Sequence, residues 1–332
     1  MTRLILIRSC VFLLAGAGVF SEAQAAGAQD GVRITQLADR LRMEINGELF
    51  SEYRFKDVSR PFLYPVIGPD GLAMTRDWPM KDSDNEEHDH KHHRSLWFDH
   101  GEMNGVDFWS EEPKAGKTVH VEFTDIQAAK EFGVIKSKDK YMAPDGRVVC
   151  TDDRVLRIYN RANERLFDFE VTVHASEGDL VFGDSKEGML AIRLNETMRF
   201  APNKFNQGKP TGHIVNSEGA RDGATWGKRA AWCDYYGPVN GRIVGVAIFD
   251  HPQNPRHPTW WHVRDYGLFA ANPFGLHDFE KKPAGTGNFT VPAGKSATFR
   301  YRFYIHRGDD KEAKVAERYR EYARASLSKD HE

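Results

Sequence analysis

The sequence predicts an all-β protein, a large antiparallel β-sandwich with a C-terminal α-helix. Three observations predict it. Short apolar stretches of strand length recur between residues 32 and 305, separated by Gly, Pro, Asn and Asp. No 3.6-residue periodicity is sustained before the tail. The tail itself, about 310–327, is rich in Ala, Glu, Lys and Arg. Its acids come first and its bases later, which suits a helix dipole.

Residues 1–25 read as a signal peptide. Arg3 and Arg8 flank its start, residues 10–20 are apolar, and Ala23-Gln24-Ala25 offers a small-residue cleavage site. The expectation is export to a periplasm or the cell exterior, leaving residues 26–332 as a single β-sandwich domain. Partial alternation marks strands at 32–35 and 41–45, and Asn46-Gly47 turns the chain into a partner at 49–55. A strand at 62–67 ends at the turn Pro69-Asp70-Gly71. Further strands are expected at 119–126, 133–138, 148–150, 156–160, 166–174, 180–182, 189–194 and 243–249. Residues 200–230, rich in Gly, Asn, Lys and Pro, read as a surface excursion. Residues 289–291 and 297–305 read as a closing hairpin through Pro292-Ala293-Gly294-Lys295.

Composition narrows the function. With 46 basic and 48 acidic residues the formal net charge is −2, which argues against nucleic acid or an anionic membrane as the main partner. No apolar run after the leader approaches the ~20 residues of a membrane helix. No G-x-G-x-x-G opens a helix and no Walker lysine occurs, so nothing points to a nucleotide-dependent reaction. Beyond the leader only Cys150 and Cys233 remain, and spacing alone does not decide whether they pair.

Two stretches carry the chemistry. The first, HDHKHHRSLWFDHGEMNGVDFW at 88–109, holds five of the 14 histidines. Read as an extended segment, it places His90, His92 and Arg94 on one face and His93 on the other. An H-x-H pair suits acid–base work or a divalent metal, so His90 and His92 are also candidate metal ligands, with His100, His262, Asp265 or Glu187 as a third. The second stretch runs from Trp226 to Phe279. All seven tryptophans lie in or near the two stretches. Shared composition makes one cleft lined by both the economical expectation.

Such a cleft suits a saccharide, whose ring face stacks on aromatics while polar side chains satisfy its hydroxyls. The candidate catalytic residues are His90, His92, His93, Glu187 and His262. Glu187 sits in a glycine-flanked turn, with Lys186 and Arg193 as candidate partners. The candidate substrate-binding residues in the first stretch are Arg94, Trp97, His100, Asn104 and Asp107. Those in the second are Trp232, Asp234, Tyr235, His251, His257, Trp260, Trp261, Arg264, Asp265, Tyr266 and Asn272. Of the neighbours Trp260 and Trp261, one should face a ligand and the other the core.

The blocks at 89–109, FGDSKEG at 182–188, WCDYYG at 232–237 and the long block at 249–275 resemble a secreted bacterial family labelled "methane oxygenase PmoA". The methane monooxygenase subunit behind that label is an integral membrane protein, whereas this chain shows no span past its leader. The resemblance implies a galactose-mutarotase-like β-supersandwich, in a family whose members accompany sugar oxidoreductases and glycoside-degrading proteins. Three functions stay open. One is a periplasmic enzyme using His and carboxylate chemistry on a glycoside or keto-sugar, as lyase, hydrolase or epimerase. Another is a non-catalytic carbohydrate-binding protein. The third is a metal-dependent oxidase.

Overall fold

The computed structural model describes residues 30–209 and 211–328. The expected signal peptide lies outside them. The chain opens with β1 (Val32–Gln36), β2 (Arg40–Ile45), β3 (Glu48–Arg54), β4 (Phe62–Val66) and β5 (Leu96–His100). Four long strands follow: β6 (Lys117–Ala128), β7 (Phe132–Met142), β8 (Val148–Tyr159) and β9 (Arg165–His174). Next come β10 (Leu180–Phe182), β11 (Gly188–Arg193), β12 (His213–Asn216), β13 (Trp232–Val239) and β14 (Arg242–Asp250). The series ends with β15 (Trp260–Val263), β16 (Leu268–Asn272), the one-turn α1 (Leu276–Glu280), β17 (Phe289–Val291), β18 (Ser296–Arg307) and α2 (Val315–Ser328). No helix among the described residues is long and apolar enough to cross a membrane.

Two eight-stranded antiparallel sheets result. The first has the order β1-β2-β3-β4-β5-β11-β16-β15 and the second β12-β13-β14-β18-β9-β8-β7-β6. Their inner faces meet in one apolar core, with Phe50 against Phe167 at 5.4 Å and Phe98 against Phe299 at 6.4 Å between ring centres. Burying each such side chain contributes roughly 1.5–3 kcal/mol relative to exposure. On the outer face of the second sheet, Trp232, Phe249 and Tyr304 pack against Val315 and Tyr322 at or on α2.

The register of the first sheet decides which residues can reach a ligand. Phe62, Trp97, Ala191, Ala270 and His262 oppose one another in a row across β4, β5, β11, β16 and β15. The first four belong to the apolar layer on the outer face. One residue along, Phe98, Leu190, Ala271 and Trp261 form the next row and point into the core. Period-2 alternation therefore divides Trp260 and Trp261 as expected, with Trp261 inside.

Two sequence expectations are corrected, and one open question is answered. Residues 289–291 and 297–305 do not pair: β17 pairs with β10 in a separate two-stranded sheet, while β18 fills the gap between β14 and β9. The turn between them exists, closed by the Lys295 N–H to the Pro292 carbonyl, but it joins two sheets rather than two neighbours. The breaks expected between 148–150 and 156–160 vanish, because β8 runs unbroken with alternating burial. Cys150 and Cys233 are free and buried, on different strands of the second sheet.

Candidate functional site

The histidine tract is a tight turn, which corrects the extended reading. His93 N–H donates to the His90 carbonyl at 2.9 Å, and Arg94 and Ser95 close further short loops onto His92 and His93. His90 and Ser95 have φ of 44° and 62°, conformations that strands exclude. The cause is an anchor beneath the tract. Fully buried Arg76 donates to the Asp89 carboxylate and to the carbonyls of Trp78, Glu87, Asp89 and His90. A guanidinium holding four carbonyls in this way folds the chain around itself. His90, His92 and His93 consequently converge, and Arg94 swings away to Glu111 at 2.5 Å.

These three histidines line one cavity of about 250 Å³ together with Gly101, Asp107, Trp109, Ser110, Ser185, Glu187 and Tyr266. Beneath it, Trp97 is buried and stacks on His93 at 5.4 Å. Arg60, also fully buried, ties the walls together through the carbonyls of His92 (3.2 Å), Trp109 (2.7 Å) and Ser110 (3.1 Å). Its charge is met by Asp99 at 3.3 Å. The loop before β11 supplies the far wall. There Gly101 N–H donates to the Glu187 carbonyl at 2.6 Å, and a side chain at Gly101 would collide with Glu187.

The polar partners of the histidines fix their ring protons. His90 Nδ1 lies 2.8 Å from Asp89 and donates to it, so in neutral His90 the lone pair is on Nε2. His93 Nδ1 accepts from Arg193 at 3.1 Å, which puts the His93 proton on Nε2. The two rings lie parallel with centres 4.7 Å apart, and Tyr266 stacks on His90 at 5.1 Å. Burial raises the Asp89 carboxyl, but the bond from His90 and the guanidiniums of Arg193 and Arg76 outweigh it and hold the carboxyl well below the usual carboxylate range. Burial, with the nearby Arg60 and His90, lowers His92 to about 4. Burial and Arg193 push His93 well below its ordinary value. Both imidazoles are therefore neutral at neutral pH.

The carboxylates differ in freedom. Asp107 accepts from the backbone N–H groups of Trp109 and Ser110 and from the Ser110 hydroxyl, so its oxygens hold the loop. Glu187 is half-buried and meets Lys186 at 3.4 Å. Arg193, the other expected partner of Glu187, instead binds Asp89 at 2.9 Å.

Other expected site residues sit around or away from the cavity. His262 shares the outer-face row with Trp97 but is covered by the loop before β11, its Nδ1 bonded to the Lys186 carbonyl at 2.7 Å, and burial lowers it to about 4. Asn272 holds the same loop through the carbonyls of Ser185 and Lys186. Trp260 lies under Arg229 at 4.5 Å and donates to Glu280. Arg264 borders Tyr266, and Asp265 is exposed in the same turn. His100 faces the core, bonded to the Gly183 carbonyl, and Asn104 ties down the Asp179–Val181 segment. Trp232, Asp234 and Tyr235 on the second sheet, and His251 just past the end of β14, do not line this cavity. Asp234 pairs with buried His306, and Tyr235 and His251 pack against Phe269 and Tyr322. His257 bonds Asp250 at 2.7 Å beyond the end of β14.

Sequence reasoning gave no site role to Ser110, Ser185, Arg76 or Arg60, left Trp109 and Asp89 as members of the first stretch, and assigned Arg193 to Glu187. Arg193 left a trace, a lone cation in the apolar strand GMLAIR with outward parity. Among the described residues no group of three or more His, Cys, Asp or Glu side chains converges for a metal ion. The His90–His92 pair fits a dication poorly, since one His90 nitrogen is taken by Asp89 and guanidiniums lie beside His92 and His93.

Solved structures to which the chain is similar include carbohydrate-active enzymes and mutarotase-like proteins. A galactose mutarotase-like protein from Lactobacillus casei is 8% identical, over 83% of this chain and 100% of its own, at a TM-score of 0.35. A putative aldose 1-epimerase from Escherichia coli K12 is 10% identical over 83% and 99%, at 0.29. A glycoside hydrolase family 97 enzyme of Pseudoalteromonas sp. strain K8, solved with acarbose, is 10% identical over 83% of this chain, at 0.33. The chain spans only 34% of that enzyme's length. No curated protein matches at a significant level. Residues 40–320 match the family of unknown function DUF6807, and the chain belongs to that family.

Proposed function

We propose that this protein is an exported carbohydrate-active enzyme that abstracts a proton beside a carbonyl group of a small saccharide or keto-glycoside. The observation that carries the reading is the pairing of His90 and His93 in opposite tautomers. His90, backed by Asp89, offers an Nε2 lone pair, and His93, backed by Arg193, offers an Nε2–H. The base takes the proton as the C–H bond breaks and its electron pair moves toward the carbonyl oxygen. A neutral imidazole N–H then donates to that oxygen, where charge develops. Delivery of a solvent proton to the opposite face, with His90 releasing its own to water, gives epimerisation. Expelling a β-substituent, with the His90 imidazolium handing its proton to the leaving oxygen, gives elimination. The cavity is close to the ~300 Å³ lower end of ligand sites, which favours a single sugar ring.

Hydrolysis by two flanking carboxylates fits less well, because Asp107 is committed to its loop and Glu187 is the one lining carboxylate not bonded to backbone. A purely binding role fits less well too. Tyr266, Trp97 and Trp260 each have a ring face taken by His90, His93 and Arg229, which leaves less aromatic surface for stacking a sugar.

The test is deuterium exchange. Keto-glycosides and their parent sugars are incubated with the protein in deuterated water and followed by NMR. Exchange at the carbon beside the carbonyl, lost in His90→Ala, is the expected result. Sugar binding with no exchange or turnover on any substrate would establish a binding protein instead.

A further inference from the structure

The cations bordering the cavity are matched, with one exception. Arg193 and Arg76 share Asp89, Arg60 meets Asp99, Arg94 meets Glu111, and Lys186 meets Glu187. Arg264 has no carboxylate partner among the described residues. It directly follows β15, in the turn into β16. Its guanidinium is only partly exposed, lying 5.5 Å from the centre of the Tyr266 ring and 5.8 Å from that of Trp226. Tyr266 lines the cavity, so the charge stands at its edge.

An arginine pinned between two rings has lost part of its hydration and its rotamer freedom without gaining an anion. Neither loss has to be repeated when a ligand arrives, and the planar fork matches a carboxylate. We infer that Arg264 reads a carboxylate on the ligand, so that the substrate is an acidic sugar such as a uronate. The inference rests on the reading of the cavity as a saccharide site, and it fits the chemistry proposed there. A carboxylate neutralised by a guanidinium makes the hydrogen on its neighbouring carbon more acidic, within reach of a histidine base.

The experiment measures dissociation constants by calorimetry for methyl glucuronide against methyl glucoside, and methyl galacturonide against methyl galactoside. Wild type, Arg264→Gln and Arg264→Lys are compared at low and high salt, with melting temperature as a folding control. One charge-assisted contact predicts about tenfold tighter binding of one uronide over its neutral partner. The preference should disappear in Arg264→Gln, the uronide affinity falling to that of its neutral partner, return in part in Arg264→Lys, and weaken with salt. Equal affinity for acid and neutral sugars, or a preference that survives in Arg264→Gln, overturns the assignment while leaving the saccharide site standing. Failure of all four sugars to bind the wild type removes the saccharide site and the carboxylate reading together.

Discussion

His90 and His93 are adjacent rings with opposite hydrogen-bonding roles, so their substitutions should fail differently. His90→Ala removes the base and should lower kcat by at least 10²-fold, the lower bound of general base catalysis. Because His90 is partly exposed, its melting temperature should move by only a few degrees. His93→Ala opens a hole over Trp97 and frees Arg193 from its acceptor, so it should cost both activity and roughly 1–3 kcal/mol of stability. Denaturant melts of the two variants check this, and equal destabilisation would place both rings in a structural role. Trp261→Ala should cost about 3–5 kcal/mol, since the ring is fully buried. Trp260→Ala should cost less, because the ring lies outside the inter-sheet core and packs chiefly on Arg229 and Glu280. At this scale the sequence showed residue types but not partners. His90, His92, His93, Glu187, Asp107 and Tyr266 were legible as polar and aromatic density. The tautomers were not, because they depend on Asp89 and Arg193, 104 residues apart.

Among the elements, the histidine turn was the least legible. Alternation in HDHKHHRS fits a strand as well as a turn, and what chooses between them is Arg76, twelve residues before the tract begins. Tertiary anchoring overrode local pattern. Arg76→Lys tests the anchor. A lysine cannot reproduce a fork that reaches a carboxylate and four carbonyls. The variant should therefore lose about 3 kcal/mol or more, the scale of breaking a buried ion pair, and should lose exchange activity even where it remains folded. A full-strength denaturation midpoint would show that the turn holds without it. By contrast, strands were legible where inside and outside faces differ, as in β7 and β9. The separate partners of β17 and β18 were not, because a tight turn leads to a hairpin only when both strands stay in one sheet.

The sandwich and its terminal helix were legible as a whole, since turn spacing and the lack of helical period constrain the class. The charges the sandwich buries were hidden, because burial is a property of the fold, and they set how the molecule answers pH. Burial lowers His92, His100 and His262 to about 4 from 6.5, and His93 moves the same way. With the folded value below the unfolded one, the unfolded chain binds more protons between about pH 4 and 6.5, so stability rises with pH across that window and is lost on acidification. Asp99 acts in the opposite sense. Burial pushes it up to about 7 from 3.8 against the pull of Arg60 and Arg154, so the folded state binds the extra proton and stability falls as pH rises through the same range. Glu86, Asp152, Asp250 and Asp310 are raised by burial too. Buried histidines and buried carboxylates therefore oppose each other across this window, and single substitutions separate their contributions. Replacing Asp99 by Asn deletes an opposing contribution. The variant should be less stable throughout, because Arg60 loses its partner, yet its melting temperature should climb more steeply between pH 4.5 and 6.5 than that of the wild type. A slope that stays the same or flattens would mean that Asp99 keeps its charge in the fold, and that the clamp on His92, Trp109 and Ser110 is a full ion pair at every pH in this range.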